Sequence, residues 1–257
     1  MSGVVRTDEW LLKDYNHPIK ITKRVESYFS NAEAEEIYSH LTKYGMYRKP
    51  LSKKRIKQMQ DAQIWKIIDL EYAKLKKEWS GPDVPIFIFP SDTNHRLMKE
   101  YNGKSGLTFK DKIFLFVFEG NTESEIHALL THEYNHVCRL NKYQKPEEKY
   151  TLLDTIILEG MAEYAVRKQL GKDYTATYIG KYTDETLKRF WNKLILPNAQ
   201  LKAGNKKYVQ LLYGSQFYPK MLGYCVGEYL VRNYANTHNM SVKDLFQIKS
   251  EEIADVQ

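Results

Sequence analysis

Cysteine is scarce in this chain. Cys138 and Cys225 are the only two in 257 residues, too few for the disulfide frame that a secreted scaffold of this size usually carries, so a reducing compartment is expected. Apolar runs are short as well, and none approaches the roughly 18 residues needed to cross a bilayer. Met1 to Tyr15 breaks up its apolar positions with Arg6, Asp8, Glu9, Lys13 and Asp14, which leaves no apolar core for a secretory signal. A cytoplasmic protein with no membrane partner is the expectation. With 13 Gly and 8 Pro the chain is not linker-rich, and one compact unit is expected. Acidic residues, 32 against 39 basic ones, leave a net charge of +7. That excess is spread out: Lys53-Lys54-Arg55 and Lys74 to Lys77 read as solvated faces, with no aromatic-interleaved or zinc-finger pattern to suggest a specific nucleic-acid partner.

Helical periodicity dominates what is present. Ser30 with Glu33 has capping-box spacing ahead of a helix over roughly 31–45, and Ile56 through Trp79 keeps a three-and-four apolar spacing as one longer helix, ended by Ser80-Gly81-Pro82. Val84 to Phe89 and Ile113 to Phe118 are short β-branched and aromatic runs that read as strands. Helical spacing then returns, with helices expected near 122–141, 151–169, 183–194, 218–236 and 241–253. Pro197 to Lys207 is the candidate mobile loop.

Chemistry concentrates in His132-Glu133-Tyr134-Asn135-His136, an H-E-x-x-H motif inside an expected helix that Thr122 and Glu125 would cap. Four positions along a helix return to nearly the same direction, so both imidazoles leave one side of the cylinder and can converge on one metal ion. Glu133 lies beside them, placed to take a proton from an attacking water while staying outside the coordination sphere. Downstream, Thr151 and Asp154 start a helix that places Glu159 and Glu163 one turn apart on a common side. The segment from Asn141 to Tyr150, with Pro146, can reverse the chain between the two helices. Two histidines and one carboxylate are a catalytic zinc set, which Glu159 would complete, and Glu163 would orient His132 through its second N–H. Gly160, costly in a helix interior, reads as clearance for close approach of the two helices or of a substrate.

The motif with Glu159-Gly-Met-Ala-Glu163 following it resembles the gluzincin metallopeptidases. More narrowly, Leu130 to Val137, Leu153 to Glu163 and Gly223 to Val231 are similar to the bacterial YjaZ-like family of predicted zinc-dependent proteases. The resemblance implies Zn2+ held by His132, His136 and Glu159, with Glu133 as general base. It also implies an α+β, zincin-like fold: predominantly helical, with a small β-sheet before the metal helix and a helical C-terminal lobe. Residues 1–141 would form an N-terminal subdomain ending in the H-E-x-x-H helix and 142–257 the C-terminal lobe, with the active cleft between them.

The reaction expected is hydrolysis of peptides or unfolded protein segments. Hydrolysis needs a further donor for the oxyanion, and Tyr213 and Tyr224 are the candidates, with Tyr224 preferred because it lies in the family-like helix. The strand Ile113 to Phe118 either offers an edge to an extended peptide or lies inside the sheet. Cys138 and Cys225 look like neither ligands nor nucleophiles, and His17, His40, His95, His127 and His238 lack partners at metal spacing. Two other functions fit the residues: a catalytically weak zinc-binding regulator or chaperone-like protein, and a basic nucleic-acid binder with structural zinc.

Overall fold

The computed structural model describes residues 3–48, 51–93 and 102–256. His95 lies outside them. The fold is α+β, mostly helical with one small mixed sheet. The chain divides into two compact units, Met1–Val137 and Cys138–Gln257, with the boundary inside the helix that carries the H-E-x-x-H motif. Among the described residues no helix is long and apolar enough to cross a membrane.

In the first unit the helices α1 (Thr7–Asp14), α2 (Pro18–Lys23), α3 (Ala34–Lys43), α4 (Lys53–Asp61) and α5 (Ile64–Trp79) precede most of the sheet. The strands are β1 (Gly3–Val4), β2 (Pro85–Pro90), β3 (Ser105–Phe109) and β4 (Lys112–Val117), in the spatial order β1-β2-β4-β3. β1 and β4 both run parallel to β2, while β3 returns antiparallel on β4 with Leu107 opposite Phe114 and Gly106 opposite Leu115. Alternation along the strands sorts the faces. Phe87, Phe114 and Phe109 share one face and meet Trp10, Tyr28 and Phe29, with ring centroids 4.9 to 6.3 Å apart. Ile86, Ile88, Ile113 and Leu115 form the other face with Gly106 and Thr108.

Several elements depart from the sequence expectation. The single helix over 56–79 is two, because Gln63 takes a left-handed backbone (φ 54°) between Asp61 and Ile64. Helix α3 begins at Ala34 with Glu33 and Glu36 as its capping box, so Glu33 is the cap itself and Ser30 lies outside it. The strand expected at Ile113 to Phe118 is interior, flanked by β2 and β3. β3, which periodicity missed, lies at one edge of the sheet, and the two-residue β1 lies at the other.

The motif helix α6 (Glu123–Lys142) leaves β4 through the turn at 119–121, and Thr122 and Glu125 exchange side-chain-to-amide bonds at 2.9 and 3.3 Å to start it. In the second unit α7 (Leu152–Leu170) begins with the Thr151/Asp154 capping box. It is followed by α8 (Asp184–Phe190), which runs on as a wider turn over Trp191–Ile195, then α9 (Lys206–Tyr213) and α10 (Leu222–Thr237). The stretch expected as a mobile loop, Pro197 to Lys207, is tied down: Leu152 and Leu153 donate their amides to the carbonyls of Leu201 and Ala199, and the last residues of the stretch open α9. The expected helix over 241–253 is two single turns, α11 (Val242–Leu245) and α12 (Ser250–Ile253). Arg139, buried, takes the carbonyls of Leu245, Phe246 and Ile248, which a continuous helix would have kept for itself.

Gly160 has the clearance role expected of it, with a different partner. A Cβ there would stand 2.2 Å from the Gly227 carbonyl carbon, and one at Gly227 would stand 1.8 Å from the Ile156 oxygen. The close approach is therefore between α7 and α10, and only glycine at both positions permits it.

Candidate metal and catalytic site

His132, Glu133 and His136 lie in the interior of α6, as the helical spacing requires. The two imidazoles are neighbours one turn apart, with ring centroids 4.7 Å apart and planes near perpendicular. A third donor joins them: one nitrogen of each histidine and one carboxylate oxygen of Glu159 all lie within 4.8 Å of one another. Ligand atoms around a tetrahedral zinc at roughly 2.1 Å stand about 3.4 Å apart, so rotamer-scale adjustment closes this set on one ion. Two imidazoles and a carboxylate also have the donor chemistry that suits zinc. His136 is buried, and His132 and Glu159 are half-buried.

Glu133 is buried and held from the sheet. The Thr108 hydroxyl lies 2.6 Å from Glu133 Oε2 and 3.2 Å from its backbone oxygen. Beside it, a Cβ on Gly106 would lie 2.3 Å from Glu133 Cδ and 2.4 Å from Oε1, so only glycine leaves room for the carboxylate in this position. Neither residue was anticipated. The available signal was the hairpin, with Leu107 and Phe109 alternating against Gly106 and Thr108 ahead of the two-residue turn Lys110-Asp111.

Tyr134, the first variable residue of the motif, faces away from the histidines into the core. It stacks on Trp79 at 5.9 Å and donates to the Pro82 carbonyl at 2.9 Å, anchoring α6 to α5 and the turn that follows it.

Around Glu159 the second unit places tyrosines. Tyr224 lies close enough to Glu159 for the carboxylate to join burial in holding its phenol well above the usual range; burial is the larger cause. Tyr213 packs against Tyr224 at 5.8 Å and Tyr178 does so at 5.5 Å. Tyr208 also feels Glu159, and its hydroxyl meets Thr155 Oγ1 at 2.6 Å. Sequence reasoning named Tyr213 and Tyr224 and missed Tyr208. Glu163 is buried, and one of its oxygens accepts the Ala176 amide at 2.8 Å.

The remaining candidates have other engagements. Cys225 donates its thiol to the Tyr178 carbonyl, and burial, then Glu228 and Glu163, push it up to about 12. Cys138 is buried. His127 stands between Glu71 and Glu123, 3.9 and 3.7 Å away, and His238 stacks on Tyr234. Of the basic stretches, Arg55 pairs with Glu119 at 2.7 Å, Lys74 with Glu71 and Lys76 with Asp83.

Comparison with known proteins finds the following matches. Residues 64–255 match the domain family DUF2268, described as a predicted Zn-dependent protease. The chain is 40% identical over 232 residues to YjaZ of Bacillus subtilis (strain 168), covering 88% of this chain and 89% of that one. No solved structure matches.

Proposed function

Since the chain belongs to this family of predicted Zn-dependent proteases, we propose that it is a gluzincin-like, zincin-fold peptidase that cleaves peptides or unfolded protein segments in the cytoplasm. The observation that carries the proposal is the convergence of His132, His136 and Glu159 within 4.8 Å. These three would hold one Zn2+ per chain, and a set of two histidines and one glutamate belongs to catalytic zinc sites. When bound, the ion supplies Lewis acidity, polarising the scissile carbonyl and bringing the pKa of water down toward about 7.

Glu133 is the general base. Thr108 donates to Oε2, while Gly106 sets no side chain against Oε1. We therefore assign to Oε1 the proton taken from the attacking water and returned to the leaving amine. Tyr224, beside Glu159, is the donor assigned to the developing oxyanion, and Glu163 the carboxylate that orients His132. The edge strand β3, bonded to Glu133 through Thr108, offers an extended peptide a place to add as a further strand.

Elemental analysis and a mixed-peptide cleavage assay, each with and without chelator, test this together with Glu133→Gln. The expected outcome is about one zinc per chain in both proteins, with cleavage lowered at least 100-fold in the variant. A wild-type protein lacking both stoichiometric metal and chelator-sensitive cleavage defeats the proposal. An assayed activity that survives Glu133→Gln would instead mark a zinc-binding regulator.

A further inference from the structure

Exposed apolar surface gathers at one place in the second unit. Val209, Tyr213 and Phe217 are 49%, 47% and 99% exposed, and they fall within nine consecutive positions. Scattered exposed apolar residues are ordinary, but three so close along the chain, two of them one helical turn apart, suit a contact surface. Val209 and Tyr213 stand one turn apart on α9, whose other face buries Tyr208, Leu211 and Leu212. Phe217 stands in the short loop that follows, and this loop is closed. Met221 donates its amide to the Tyr213 carbonyl at 2.8 Å, and Gln210 reaches Gln216 at 2.9 Å. Gly214 takes a left-handed backbone so close to Pro219 that a Cβ would stand 1.7 Å from its oxygen. Phe217 is thus presented by a braced turn.

Where this surface lies gives it meaning. Tyr208 fastens α9 to Thr155, one turn before Glu159 on α7. Tyr213 packs on Tyr224, and Tyr224 is carried by the part of α10 whose Gly223 lies against Ile156 and whose Gly227 lies against Gly160. The apolar set is therefore joined to the Glu159 stretch of α7 through Tyr208 and through the Tyr213–Tyr224 contact.

We propose that Val209, Tyr213 and Phe217 form a ledge that receives a bulky apolar side chain of the peptide substrate. The proposal rests on the peptidase function above and narrows its substrate class. Folded proteins bury most such side chains, whereas unfolded segments present them, so the ledge selects hydrophobic stretches of unfolded chain. Removing a phenylalanine-sized side chain from water favours binding by about tenfold to a hundredfold.

The test uses the zinc-loaded Glu133→Gln protein, so that binding is read without cleavage. Fluorescence anisotropy compares a labelled alanine-based peptide carrying one phenylalanine with its counterpart carrying serine at that position. The phenylalanine peptide is expected to bind at least about tenfold more tightly, and Phe217→Ser with Val209→Ser to bring that ratio close to one. Both side chains are solvent-exposed, and helicity and metal content confirm that the variants fold. Equal affinity for the two peptides, or a ratio that the variants leave unchanged, overturns the ledge. So does an apolar surface that proves to hold a second copy of the chain, seen as a dimer that Phe217→Ser dissolves while the peptide ratio stays the same. Failure of the peptidase function gives a different result: no cleavage by the wild type, with the binding ratio intact.

Discussion

Glu133 and Glu159 are carboxylates on two helices that start alike, α6 with Thr122 and Glu125 and α7 with Thr151 and Asp154. Their surroundings differ. Glu133 is fixed by a strand, with Thr108 bonded to one oxygen and Gly106 pressed against the rest of the side chain. Glu159 lies among phenols, on a helix that Gly160 and Gly227 bring close to α10. The contrast matches the two tasks assigned to them. A general base needs one oxygen held and the other free to act, a job for a strand that touches the carboxylate directly. A metal ligand needs its helix set at the right depth, and that depth is fixed by backbone packing at small residues.

Gly106→Ala attacks the strand side of this comparison and has the largest expected effect. The new methyl would stand 2.3 Å from Glu133 Cδ, and the flexible carboxylate yields before the sheet does. Displacement of about 1 Å at a reacting group costs on the order of 100-fold in rate. Chelator-sensitive cleavage should fall by that order while metal content and melting temperature change little. A variant that cleaves at the wild-type rate would show that the strand does not set the position of the base. Thr108→Val is the milder version of the same break. It deletes one hydrogen bond from a half-buried hydroxyl to a charged group, worth about 1.5 kcal/mol, the lower end of the usual range, so kcat should drop roughly tenfold with KM nearly unchanged, and Thr108→Ser should restore it. Failure of serine to rescue would mean that the threonine acts through packing alone.

Much of this site was legible from the chain itself, because helical periodicity is long-range and redundant. The face made by Ile126, Leu130 and Val137 placed the histidines and Glu133 on one helix, and the Thr151/Asp154 box fixed the start of the helix that carries Glu159. The partners of Glu133 were hidden for the opposite reason. β3 is only five residues long, so its alternation of Leu107 and Phe109 with Gly106 and Thr108 is too brief to stand out, and its glycine reads as a turn residue. Helix α9 was hidden by its own start, where Gly204, Asn205 and two lysines look like a continuing loop while Asn205 in fact caps the helix by accepting the Lys207 amide. The break at Gln63 left no trace, since a left-handed backbone at a non-glycine residue has no compositional signature. Gly160 was recognised as clearance, but the helix it admits is α10, a pairing that only tertiary structure defines.

The two similar helix starts supply the smallest prediction. At Asp154 burial opposes the charge, but Lys145, the Thr151 amide and hydroxyl and Ser250 outweigh it and hold the carboxyl below its usual range. At Glu125 burial is likewise outweighed, by the Thr122 amide, Lys104, Asn121 and Asn102, and the pKa is again lowered. A carboxyl whose pKa is depressed by folding adds stability above its unfolded value, and that stability is lost as pH falls through the folded value. Loss therefore begins near about pH 4 for both groups and grows by at most about 1.4 kcal/mol per pH unit for each. The two should not contribute equally. The Asp154 side chain is fully buried and that of Glu125 is 22% exposed, so solvent screens the second more. Urea unfolding midpoints measured from about pH 5 downward should show Asp154→Asn flattening the acid slope more than Glu125→Gln does. Equal flattening would mean that the helix carrying Glu159 is no more dependent on its buried cap than the motif helix is on its exposed one.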